Sequence, residues 1–172
     1  MSARPTKCQY LSEEANAALI KVPNVHHLTP SPEGGKGYDS LTPDEKKAND
    51  DKVMRFADSH PGATIFIFAP WCPHCHGAMP QFIAAAGLVG ETMAVANAEM
   101  CSESLLRGGL ANVTHFPFVC KRDKNGDTHV LENAITKESI VEFASKSTQT
   151  AAPTAALSPG TPAASSLDAA FQ

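Results

Sequence analysis

The apolar run Ile65-Phe66-Ile67-Phe68 leads straight into Ala69-Pro70-Trp71-Cys72-Pro73-His74-Cys75. A buried strand that ends on a Cys-x-x-Cys, with the second cysteine already inside a helix, leaves few folds open. The chemistry it suggests is disulfide exchange. The thiolate is the attacking species, and the free amides and dipole of a helix N-terminus favour an anion, so Cys72 is expected to have a depressed pKa and to act as nucleophile. Cys75, one turn on, stands where it can resolve the mixed disulfide. Pro73 loses no hydrogen bond in the first turn, and His74 when protonated adds positive charge beside the Cys72 thiolate. A stabilised thiolate makes the disulfide more oxidising, so the dipeptide favours a disulfide donor or exchanger over a strong reductant.

The 172 residues allow one domain of about 100 to 150 residues plus tails. Net charge is −4 and the basic residues form no stripe, so neither nucleic acid nor an anionic membrane is expected as a partner. Met1 to Tyr10 is polar, and the apolar stretch Ala17 to Val22 is short and broken by Lys21, so neither a signal peptide nor a transmembrane helix is expected. A cytoplasmic location follows, free or within a larger assembly. Five cysteines argue for a reactive pair plus three ordinary thiols, Cys8, Cys101 and Cys120, and against a disulfide-stapled secreted scaffold.

Three segments are expected. Residues 1–40 form an N-terminal extension, with Ser12 capping a short helix over 13–21, a strand at Asn24 to Leu28 and a loop at Pro30 to Gly37. Residues 147–172, almost entirely Ala, Ser, Thr and Pro, form a flexible tail with too little apolar surface to offset ordering. Residues 41–146 form the folded domain. There Thr42-Pro43-Asp44-Glu45 is a capping box, and Val53, Phe56 and Ala57 give its helix an apolar face until Pro61-Gly62. Strand Ala63 to Phe68 and a helix from Cys72 to about Ala86, kinked by Pro80, come next. A strand at Thr92 to Ala98 and a short helix at Glu103 to Arg107 follow. Strands Phe118 to Lys121 and Thr128 to Leu131 flank the Asn125-Gly126 turn, and Thr136 caps a last helix with Ile140, Phe143 and Ala144 inward. This order, βαβ then ββα, is an α/β fold with a mixed sheet flanked by helices.

With these residues assembled, the region from Thr42 to Lys146 resembles the thioredoxin superfamily. Ala69-Pro70-Trp71-Cys72 and His74-Cys75 look like the active-site flanks of protein disulfide isomerase domains, and Cys72-Pro73-His74-Cys75 has the DsbA-type dipeptide. Pro80 matches the family's helix-kinking proline. Val113-Thr114-His115-Phe116-Pro117 resembles the segment that ends on the family's cis-proline. The resemblance implies a thioredoxin-like fold and a protein thiol-disulfide oxidoreductase: Cys72 the nucleophile, Cys75 the resolving thiol, Pro117 presenting backbone to substrate, Phe116 shaping the contact and Trp71 covering the site. Protein thiols or disulfides are then the partners. One departure stands out. Six residues before Cys72, where the family buries an acid that shuttles a proton for the resolving cysteine, this chain has Phe66, which should make Cys75 deprotonate reluctantly unless His76 or His115 substitutes through water.

Other readings of the pair are weaker. Half a zinc site needs a second pair, and Cys101 and Cys120 stand singly; a haem attachment or a shared iron–sulfur cluster would not need the buried strand or the two prolines. No metal or cofactor is expected. The second functional reading is a thioredoxin-like structural or interaction module, docked by its two tails into an assembly such as a virion.

Overall fold

The computed structural model describes residues 18, 21–29, 41–69 and 71–146. The proposed helix over 13–21 (apart from residues 18 and 21), the loop after Thr29, Cys8, Pro70 and the segment from Ser147 onward lie outside the described residues.

Strands β1 (Val25–His27), β2 (Thr64–Phe68), β3 (Met93–Asn97), β4 (Phe118–Arg122) and β5 (Thr128–Val130) form one sheet in the order β1-β3-β2-β4-β5. β1, β3 and β2 run parallel, β4 is antiparallel to β2, and β5 is antiparallel to β4. Helices α1 (Pro43–Ser59), α2 (Pro73–Val89), α3 (Glu103–Leu106) and α4 (Lys137–Ser145) complete the layers. β2 is buried along its whole length, and alternation divides it. Phe66 and Phe68 join Met79 and Phe82 of α2 and Ile140 of α4 on one face. Ile65 and Ile67 join Val53 and Phe56 of α1 and Leu105 of α3 on the other. A strand apolar on both sides is therefore placed at the centre, where each large side chain adds about 1.5–3 kcal/mol by burial.

Local chemistry sets the element ends. Thr42 Oγ1 accepts from the Glu45 N–H at 3.1 Å and Glu45 Oε2 accepts from the Thr42 N–H at 2.8 Å, closing the capping box, with Pro43 in the first turn. α2 passes Gly87 and ends three residues beyond the expected Ala86, because the left-handed conformation that stops a helix belongs to Gly90 at φ 73°. Pro80 lies inside α2, as expected. In the β4–β5 turn, Asp123 Oδ1 accepts from the N–H groups of Asn125 and Asp127 at 2.8 and 3.0 Å, and Gly126 takes φ 90°.

The segment before Thr42 does more than extend the domain. β1 pairs with β3, Leu28 N–H donates to Val95 O at 3.0 Å, and Thr29 Oγ1 accepts from the Asn97 N–H at 3.0 Å. Val25, Leu28 and Thr29 are buried. Phe143 faces inward as expected but is partly buried: its ring packs against the core with Lys121 Nζ 4.6 Å from its centroid.

Candidate active site

β2 delivers the chain to the rim of the sheet at Ala69. From there the Cys72 N–H donates back to Ala69 O at 3.0 Å, fixing the turn that carries the first thiol. Cys72 is the N-cap of α2, in extended conformation (φ −87°, ψ 119°), and its carbonyl accepts from Cys75 N–H at 3.1 Å and His76 N–H at 3.4 Å. Its side chain does not close on the helix end. Instead the Cys72 S–H donates to Phe116 O at 3.6 Å, across to the loop where the Phe116–Pro117 bond is cis. Both thiols are free, Cys72 at 6% exposure and Cys75 at 0%.

Cys75 sits deeper and in drier surroundings. It shares its buried cluster with Phe66, Phe82, Met79 and Val95. Phe66 faces Phe82 at 4.7 Å between ring centroids, and in the sheet it is the register partner of Val95. Burial pushes the Cys75 thiol up to about 12 from an ordinary value of 9.0; the Ala69 N–H, donated to its sulfur at 3.4 Å, pulls the other way, and the adjacent Cys72 adds to the rise. Pro73, His74 and His76 lie on the exposed side of the first turn, and His115 is exposed with its ring edge-on to Phe118 at 5.5 Å.

Trp71, next to Cys72 in the chain, is 44% exposed; its indole N–H donates to Glu99 Oε1 at 2.8 Å, and it meets the Phe116 ring edge-on at 6.1 Å. Together Trp71 and Phe116 open one end of a groove of ≈ 480 Å³ that continues over Leu106 and Val113, with Glu99 and Arg107 among its charged walls. The structure thus brings Trp71, Cys72, Cys75, Phe116 and Pro117 together and turns Pro73 and His74 outward. Sequence reasoning missed Glu99 and Ala69. Glu99 stands 28 positions from Trp71 with nothing local to announce the contact, and Ala69 acts through its backbone, which no side-chain pattern reveals. Among the described residues no group of three or more His, Cys, Asp or Glu is placed to hold a metal ion, and no helix is long and apolar enough to cross a membrane.

No family model matches the chain. Among curated proteins it is similar to protein disulfide-isomerase A5 of Bos taurus, 26% identical over 124 residues, which is 70% of this chain and 22% of that protein. The Mus musculus A5 protein is 27% identical over the same length and shares. The chain therefore spans about a fifth of the length of the curated relatives it matches. Among solved structures it superposes on the J-Trx1 fragment of ERdj5 with a TM-score of 0.50 at 19% identity, covering 79% of this chain and 59% of that one. The fold is that of the thioredoxin superfamily. The first thioredoxin domain of mouse protein disulfide-isomerase A4 gives a TM-score of 0.46 at 22% identity over 66% of this chain and 84% of that one. On the thioredoxin-like framework, the dithiol lies at the C-terminal rim of β2 and faces the loop that holds Pro117.

Proposed function

We propose that this domain exchanges thiols and disulfides on protein substrates through Cys72 and Cys75. The observation that carries the reading is the Cys72 sulfur: at the N-cap of α2 and in contact with the carbonyl of Phe116, a residue that with Trp71 also lines a groove of ≈ 480 Å³. In the reducing direction the Cys72 thiolate attacks one sulfur of a substrate disulfide. The substrate S–S bond breaks, one substrate thiolate leaves, and a Cys72–substrate disulfide forms. A second thiolate then cleaves that bond; when it is Cys75, the Cys72–Cys75 disulfide forms and the second substrate thiol departs. Run backwards, the same steps oxidise a substrate dithiol. Similarity to disulfide isomerases supports the reading. A Cys72→Ser protein should lose disulfide exchange with a peptide disulfide, and undiminished exchange by that variant would end the proposal.

The second reading, a structural or interaction module in an assembly, has one observation in its favour: the apolar Phe66 in the cluster around Cys75. It predicts that the Cys72→Ser, Cys75→Ser double variant keeps every partner of the parent chain. Loss of partners with the thiols would exclude it. Of the tails that this reading uses for docking, only residues 18 and 21–29 are among the described ones, and β1 lies within them.

A further inference from the structure

We propose that His26 and His60, brought together over Phe56, hold a divalent transition-metal ion that clasps the edge strand β1 to the C-terminal end of α1. The pair takes Ni(II), Cu(II) or Zn(II), because imidazole nitrogen suits these ions and neither thiolate nor carboxylate belongs to the set. It lies apart from the dithiol. His60 precedes the N-terminal end of β2, whereas Cys72 and Cys75 follow its C-terminal end.

His26 comes from β1 and His60 is the C-cap of α1, yet their ring centroids are 5.6 Å apart. Two imidazoles that share one ion, each through a metal–nitrogen bond of about 2.1 Å and at a near-tetrahedral angle, stand about 5 Å apart between ring centres. Rotation of the exposed His26 side chain takes up the difference. His60 already has the tautomer that a metal requires. Its Nδ1 lies 3.2 Å from Phe56 O, and a carbonyl only accepts, so Nδ1 carries the hydrogen and Nε2 keeps its lone pair. A hydrogen bond from the other ring nitrogen to a backbone carbonyl is also what orients metal-bound histidines. Phe56 forms the wall behind both rings, stacked on His60 at 4.4 Å and tilted against His26 at 5.2 Å.

His27 does not belong to the set. Successive strand side chains point to opposite faces: the register partner of His26 is Ala94, in the cluster that contains Phe56, and that of His27 is Val95, in the other cluster. His60 also lines an open cavity of ≈ 380 Å³, where Glu91 and Lys146 contribute opposite charges. The cavity gives an ion its way in and leaves room for the waters that complete its coordination. Within the sheet β1 pairs with β3 on one side and is the edge on the other. An ion held by two elements of the folded chain stabilises that strand by mass action.

Ni(II) alone is the probe, added to the full chain carrying Cys72→Ser and Cys75→Ser so that the dithiol cannot compete for it. Calorimetry should show saturable binding, and the urea midpoint should rise with Ni(II) and return when EDTA is added. His26→Gln and His60→Gln should each weaken binding at least about tenfold and remove the rise, whereas His27→Gln and His74→Gln should leave both unchanged. Should a substituted chain not fold, nuclear magnetic resonance decides on the parent: substoichiometric Ni(II), which is paramagnetic, should broaden the ring protons of His26 and His60 and spare those of His74 and His129. Absence of binding, a midpoint that does not move, affinity that survives His26→Gln or His60→Gln, or broadening centred on other histidines overturns the inference.

Discussion

Cys75, Cys101 and Cys120 are each raised to about 12 chiefly by burial, while Cys72 stands at the rim of the sheet. Alkylation follows the thiolate and its access, so in the native reduced protein iodoacetamide at pH 8 should modify Cys72 before Cys75, Cys101 and Cys120, which should wait for denaturant; peptide mapping separates these four from Cys8. Peptide mapping by mass spectrometry reads this directly, and simultaneous labelling of Cys75 and Cys72 would contradict the enclosure seen here. At the same scale, Trp71 is the single tryptophan of the chain and reports on its own tether. Glu99→Gln weakens the acceptor for the indole N–H; the emission maximum should shift and exchange should slow, with a loss of less than about 1 kcal/mol in stability because the contact is exposed. The cis bond at Pro117 followed only from the resemblance, whereas the Cys72/Cys75 pair was legible in the sequence because a Cys-x-x-Cys after a buried strand is a local pattern. The partner that orients Trp71 was not, since only folding brings Glu99 to it.

At the scale of elements, the helix starts and the hairpin carry their own stabilisation. Thr42→Ala removes one half of the α1 capping box and should cost about 1 kcal/mol, read as a lower urea midpoint with unchanged slope. Asp123 holds the β4–β5 turn through His129 Nε2 at 2.9 Å as well as the two backbone N–H groups, and the His129 contact most of all keeps its carboxyl below the ordinary value of 3.8. The sign follows from linkage. The folded pKa lies below the unfolded one, so the contribution is whole above pH 3.8 and is lost as pH falls through the folded value. Urea midpoints measured from pH 6 to pH 2 should therefore fall more gently for Asp123→Asn than for the parent. Capping boxes, the Asn125-Gly126 turn and the apolar run of β2 were readable because each rests on residues a few positions apart. The end of α2 was misplaced because two glycines compete near it, and backbone conformation selects Gly90 over Gly87.

The whole molecule depends on a strand that the resemblance to thioredoxin, beginning at Thr42, does not include. Without residues 21–29, β3 would become an edge, and its partners in β1, together with the Thr29 contact to Asn97, would be gone. A chain begun at Lys21 should unfold in one cooperative transition by circular dichroism, whereas one begun at Thr42 should lose cooperativity or aggregate; equal midpoints for the two would show β1 to be dispensable. By itself the sequence determined the α/β class, the order of elements from Thr42, the pair Cys72 and Cys75, and the apolar Phe66 before them, because periodicity, capping and motif spacing act between near neighbours. Tertiary structure alone decided that β1 completes the sheet, that Phe66 and Val95 meet across strands in the cluster that holds Cys75, that Glu99 accepts the Trp71 indole N–H, and that Phe116 O reaches the Cys72 sulfur. Each of those joins residues far apart in the chain, and their proximity is set by strand order and packing.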